Sequence, residues 1–170
     1  MDLDEALAEL VATSGERLLR VGYQLTHDRA AAQDLVQAAL LRVYGSLRRR
    51  GGAPEDWYAY LRRAVINEYV RTRRLRSNSE IVTDRLPDRA ASEPLEDRIA
   101  DRELLWAALE MLSSRQRAVL VLRYYEGLTD DEIAAVLGCR GGSVRSLASR
   151  GLAALRQFAK PLDTDQEAWT

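Results

Sequence analysis

Four residues near the C-terminal end of the chain are spaced for reading a nucleic acid. Arg145, Ser146, Ser149 and Arg150 pair at intervals of four, so one side of a helix would carry them together. Val144, Leu147, Ala148, Gly151, Leu152 and Leu155 recur at spacings of three and four and form an apolar stripe. The polar set therefore faces away from a core. It lies near the start of the helix, where a recognition helix presents side chains to the major groove. Arginine bonds a guanine edge in bidentate fashion. Ser143 stands where it would cap this helix.

A second group lies upstream. Tyr60, Arg63, Asn67, Arg71 and Arg74 share one side of a helix whose other side holds Trp57, Leu61, Ala64 and Val65. Arginine neutralises phosphate, tyrosine stacks on an unpaired base, and asparagine bonds a base edge. Arg48, Arg49 and Arg50 precede them, followed by Gly51-Gly52-Ala53. Residues 45–56 read as a loop with a mobile cationic tip, and Pro54 fits the first helical position after it. Both groups have a plainer alternative, because arginines also line ordinary solvated faces.

The elements that must hold these residues read as helices throughout. Thr129 to Phe158 predicts two short helices joined by a tight turn. Thr129 and Glu132 make a capping box. Ile133, Ala134, Val136 and Leu137 give one apolar face, Gly138 ends the helix, and Gly141-Gly142 let the chain reverse. Upstream, short helices are expected over 3–12 and 16–25, separated at Gly15. Asp28 caps a third, Arg29 to Tyr44, with Ala32, Leu35, Val36, Ala39, Leu40 and Val43 inward. Gln33, Asp34, Gln37 and Leu41 fall outside that stripe and suit a docking surface. Glu68 falls on the buried side of its helix with no partner evident from the sequence. Leu95, Ile99, Leu105, Trp106, Leu109 and Leu112 mark a later helix. Ser113 or Ser114 caps another over 115–125.

Fold class follows: all-α, two small helical modules joined by a flexible linker, the second containing a helix-turn-helix. The first module spans 1–76, an acidic linker 77–94, the second module 95–160 and an acidic tail 161–170. Two basic blocks, net +7 over 42–76 and +4 over 111–160, flank a block of −5, although the whole chain is at −1. Such segregation suits two contacts with a polyanion. Hydrophobic residues make up 46% and charged ones 30%, a normal globular balance.

Composition also argues against several classes. Cys139 and His27 are each the sole residue of their type, so the chain offers no internal disulfide and no Cys/His zinc set. Cys139 reads as a core-edge residue and His27 as surface. There is no glycine-rich phosphate loop and no nucleophile–base pair. No catalytic residue, cofactor or metal is expected, and the chain is not read as an enzyme. Asp2, Asp4 and Glu5 stand where a signal peptide would be basic, and no apolar run reaches membrane-spanning length. A cytoplasmic protein without membrane insertion is expected.

Four stretches resemble a known family, the bacterial extracytoplasmic-function sigma factors, of the sigma-E-like kind. Asp28 with Ala31-Ala32-Gln33-Asp34-Leu35-Val36-Gln37 is similar to that family's core-polymerase-binding helix. Trp57 to Arg76 resembles its promoter-melting helix. Leu112-Ser113-Ser114-Arg115-Gln116-Arg117, continued by residues 119–128, resembles the start of its second module. Gly142-Ser143-Val144-Arg145-Ser146 resembles its recognition helix. The likeness covers about residues 10–158.

The resemblance implies a subunit that binds core bacterial RNA polymerase and directs initiation from promoter DNA. Asp34, Val36, Gln37 and Leu41 would dock on the clamp helices of the polymerase's largest subunit. The 48–56 loop with Tyr60, Arg63, Asn67, Arg71 and Arg74 would hold the unpaired minus-10 strand, with a flipped base in a pocket on the loop. Ser143, Arg145, Ser146, Ser149 and Arg150 would read the minus-35 element. The linker would thread the RNA exit path, and an anti-sigma factor is a further implied partner. Ala38, Ser113 and Leu147 depart from the common residue types, which are acidic, proline and basic respectively. A stand-alone helix-turn-helix regulator is the alternative, but it has no need for a single-strand-suited helix or a polymerase-docking face.

Overall fold

The structure is a computed structural model that describes residues 2–79 and 94–159. Most of the expected linker and the whole acidic tail lie outside those residues. Among the described residues the regular elements are all helical. They are α1 (Leu3–Thr26), α2 (Arg29–Arg50), α3 (Trp57–Ser79), α4 (Pro94–Glu110), α5 (Ser114–Leu120), a π-helical turn (Val121–Tyr125), α6 (Asp130–Leu137) and α7 (Gly141–Ala159). None is long and apolar enough to cross a membrane.

The first helix corrects the expectation of two. Gly15 lies inside α1, where a glycine costs about 1 kcal/mol relative to alanine. The apolar face passes through it in register: Ala6, Leu10, Leu18, Val21 and Leu25 are all buried. Burial of that face outweighs the local cost. Gly22 permits the next contact, since a Cβ there would stand 3.2 Å from the Cβ of Ala32 on α2.

The second helix also runs further than its pattern suggested. Asp28 caps it as expected, its Oδ1 accepting from the Ala31 amide at 3.0 Å. Beyond Tyr44, Leu47 packs against the core one turn after buried Val43, so the helix continues to Arg50. Arg48, Arg49 and Arg50 form its last turn, where cations suit the negative end of the helix dipole. They are not a mobile loop tip. Gly51 ends the helix at φ 69°, a conformation that favours glycine. Asp56, rather than Pro54, begins α3: its Oδ1 accepts from the Ala59 amide at 2.9 Å.

α1, α2 and α3 pack as a three-helix unit around Leu18, Val21, Leu25, Ala39, Leu61, Val65 and Ile66. The second unit centres on Ala118, Val119, Leu122, Ile133, Val144 and Ala148. Gly151 lets α7 approach α5, its Cβ position lying 3.2 Å from Leu120 Cδ1. Ser113 and Gln116 complete a capping box at the start of α5. The helix expected over 115–125 is α-helical only to Leu120. It then widens, with the Glu126 amide donating to the Val121 carbonyl at 3.1 Å. The two units touch: α3 meets α5 and α6, and α1 meets the π-helical turn. Leu105, expected inward, is exposed on α4, whereas Trp106 is buried.

Candidate nucleic-acid interface

Asp56 fixes the start of α3, and that start fixes Tyr60, Arg63 and Asn67 at successive turns of one face. Arg50, at the end of α2, comes to meet them. These four residues line a cleft of about 370 Å³, together with Arg42 and Ser46. A neighbouring cleft of about 670 Å³ shares Arg50, Tyr60 and Arg63. Residues 51–56 edge this second cleft, and Glu132, Ala135 and Val136 of α6 form another wall. Cations, an aromatic ring and an amide at one concave surface are what a single strand requires.

The remaining members of the upstream group lie elsewhere. Arg71 is held by Glu68, with Nη2 at 2.6 Å and Nε at 3.3 Å from the carboxylate oxygens. Arg42 Nε meets the same carboxylate at 2.7 Å. This explains the buried Glu68, 4% exposed, on the inward side of α3. The hydrogen bond to Glu68 raises the Arg71 pKa. Arg74 faces a different cleft, with Arg73 and Arg115, between α3 and α5. Arg48 lies over the Tyr44 ring at 5.6 Å, and Arg49 is exposed.

On α2, Asp34 and Gln37 are exposed, and Leu41 is 72% exposed. Val36 is different. Its side chain is buried within the core, so it supports this face from beneath and presents nothing to a partner.

The helix-turn-helix forms largely as its residues predict. The Thr129 amide donates to Glu132 Oε2 at 2.7 Å, and the Glu132 amide to Thr129 Oγ1 at 3.3 Å. Donation to the carboxylate from the Thr129 amide, and from Thr129 Oγ1 at 3.0 Å, lowers the Glu132 pKa. Arg123 pairs with Asp130 and ties the π-helical turn to the start of α6. Gly138, at φ 63°, makes the reversal. Gly141 and Gly142 already belong to α7, so Ser143 sits inside the first turn and is not the cap. Its amide donates to the Arg140 carbonyl at 3.0 Å. Arg145, Ser146, Ser149 and Arg150 are all exposed on the outer face. Arg150 Nε donates to the Ser146 carbonyl at 3.3 Å.

Two polar clusters between the units escaped sequence reasoning. Glu126 accepts from Arg62 Nη1 at 2.9 Å, Tyr58 Oη at 3.0 Å and Arg17 Nη2 at 3.4 Å. Burial, with Glu126 alongside, raises the Tyr58 pKa. In the other cluster, His27 stacks on Trp106 at 3.8 Å between ring centroids, so it is not a simple surface residue. Arg117, 1% exposed, lies near the same indole and donates to the Gln24 carbonyl. Burial lowers its pKa. The only signal in the sequence was an arginine in an apolar register, at Arg117. Glu126 gave none.

Comparison with known proteins agrees with this division. Residues 10–78 match the family described as Sigma-70 region 2, and residues 102–155 match Sigma-70, region 4. The chain is 40% identical over 162 residues to the RNA polymerase sigma-E factor of Streptomyces avermitilis, covering 94% of this chain and 88% of that one. It is 34% identical over 142 residues to the ECF RNA polymerase sigma factor SigL of Mycobacterium tuberculosis, covering 82% and 80%. Among solved structures, the sigma factor RpoE of Bartonella quintana, in complex with the anti-sigma factor NepR, superposes with a TM-score of 0.63. That likeness is at 23% identity and covers 92% of this chain and 98% of that one.

Proposed function

The chain belongs to the extracytoplasmic-function sigma factors of bacterial RNA polymerase, and from that premise we propose which of its faces does what. A sigma factor directs transcription initiation by joining core polymerase and recognising a promoter. The family consists of transcription regulators, and we assign this chain no catalytic group.

Asp34, Gln37 and Leu41 on α2 dock on the polymerase. The support is their shared exposure, above all a leucine left open on a polar edge. Arg50, Tyr60, Arg63 and Asn67 hold the unpaired minus-10 strand. Arg48 and Arg49 add cationic potential beside that path. Arg71 and Arg74 belong at its periphery, since one charge is already paired and the other faces elsewhere. Arg145, Ser146, Ser149 and Arg150 read the minus-35 element in the major groove, and Ser143 meets phosphate at the helix start. Residues 1–76 make the first module and 95–160 the second. The protein works in the cytoplasm with the polymerase, and an anti-sigma factor is a further partner, as for the Bartonella protein.

The observation that carries this reading is the cleft joining Arg50, Tyr60, Arg63 and Asn67 in one chain with an exposed recognition helix. A stand-alone duplex-binding regulator gains nothing from such a cleft. The test combines a pull-down with purified bacterial core polymerase and run-off transcription from a promoter library. Stoichiometric binding with new, sequence-dependent start sites is expected. Tight duplex binding without polymerase would overturn the reading.

A further inference from the structure

Glu126 belongs to the second module, yet its carboxylate lies against the first. Its side chain is 2% exposed. All three of its side-chain donors come from across the boundary: Arg17 from α1, and Tyr58 and Arg62 from α3. A buried carboxylate is tolerable only while such donors surround it. When the modules part, water replaces them, so this contact can break and reform.

What it holds in place matters. Ten residues after Glu126, Val136 lines the large cleft, with Ala135 and Glu132 of the same helix. That cleft also contains residues 51–56, Arg50, Tyr60 and Arg63. The docked second module therefore walls the surface assigned to the single strand. The recognition face of α7 and the docking face of α2 remain open in the same arrangement.

Distance makes this form incompatible with reading a whole promoter. Elements centred near minus 10 and minus 35 lie about 25 base pairs apart, about 85 Å of duplex at 3.4 Å per pair. A compact domain of this length has a radius of gyration of about 15 Å. The two modules cannot touch each other and both elements at once.

We propose that Glu126 is an autoinhibitory latch: bound by Arg17, Tyr58 and Arg62, it keeps the helix-turn-helix module docked against the minus-10 cleft until polymerase separates the two. The latch rests on geometry alone, whereas its inhibitory meaning rests on the sigma-factor reading.

The test uses the full chain, wild type against Glu126→Arg, with helix content followed by circular dichroism. In small-angle X-ray scattering the variant's radius of gyration should exceed the wild-type value by about a fifth or more at equal helix content. Equal radii overturn the latch. If Glu126→Arg loses helix content, Tyr58→Phe combined with Arg62→Met decides in its place: expansion supports the latch and an unchanged radius overturns it. Stopped-flow association with core polymerase should be faster in the open variant by about threefold or more. Equal rates at different radii overturn the inhibitory role. If neither protein binds polymerase while the variant still expands, the sigma-factor reading fails and the latch stands.

Discussion

Arg117 donates from both Nε and Nη2 to the main-chain oxygen of Gln24, each at 3.3 Å, and so ties α5 to the C-terminal turn of α1. The guanidinium is buried between the modules with the Trp106 ring 5.7 Å away. Arg117→Ala removes this bond and leaves a cavity, and should lower stability by about 2–5 kcal/mol. Arg117→Met fills the space without burying a charge and should lose less than about 1.5 kcal/mol. Urea unfolding of the two variants checks the order, and a methionine variant weaker than the alanine one would contradict it.

Glu68 pairs with Arg71 and Arg42 together, which gives Arg71 a structural task before any DNA arrives. Arg71→Ala should therefore lower stability, because a buried carboxylate loses one of its two cations. Promoter binding per folded molecule should change little. Thermal unfolding and promoter titration on the same preparation separate the two effects.

Asn67 lies in the cleft with Arg50, Tyr60 and Arg63. Asn67→Ala should slow open-complex formation while leaving core-polymerase affinity intact. Permanganate footprinting and a polymerase-binding titration check this, and equal loss in both would count against base reading.

Arg150 stands exposed on α7, one turn beyond Ser146. Arg150→Ala should weaken minus-35 discrimination by about 1–3 kcal/mol if the contact is bidentate to a base. Binding to single-base variants of the element measures it. Uniform weakening across all of them would assign Arg150 to a phosphate.

The capping box of α6 predicts an acid dependence. Bonds from the Thr129 amide and hydroxyl hold the folded Glu132 pKa below its ordinary 4.5. The unfolded chain then takes up a proton first as pH falls. The stabilisation is present above about pH 4.5 and disappears as pH drops through the lower, folded value. Melting temperatures of wild type and Glu132→Ala should differ at neutral pH and converge in acid. A gap constant with pH would exclude this bond as its source.

Local chemistry made much of the fold legible. Asp28, Ser113 and Thr129 cap helices because their side chains bond amides three residues on, a relation visible in any sequence. Gly138 ends α6 for an equally local reason. Gly15 and Gly45 misled because a packed apolar face continues beyond them, and packing overrides propensity. The exposed face of α7 was legible because Val144 and Ala148 define its opposite side. The family likeness puts Val36 at a surface whereas its own periodicity puts it inside, and burial follows the periodicity. The Glu68–Arg71 pair is local, three residues apart on α3, and only the contact of Arg42 with Glu68 needs α2 to lie on α3. Glu126 and His27 were illegible because their partners are distant in the chain.

The π-helical turn at Val121–Tyr125 has a further consequence. It places one more residue in the turn than an α-helix would, about 100° of rotation for everything downstream. Had the helix continued regularly, Glu126 would leave it on a different side. The angle at which the module boundary closes is thus encoded as a count of residues rather than as a choice of side chain. Lineages could reset it by a single-codon deletion, with the composition of both contact surfaces left intact.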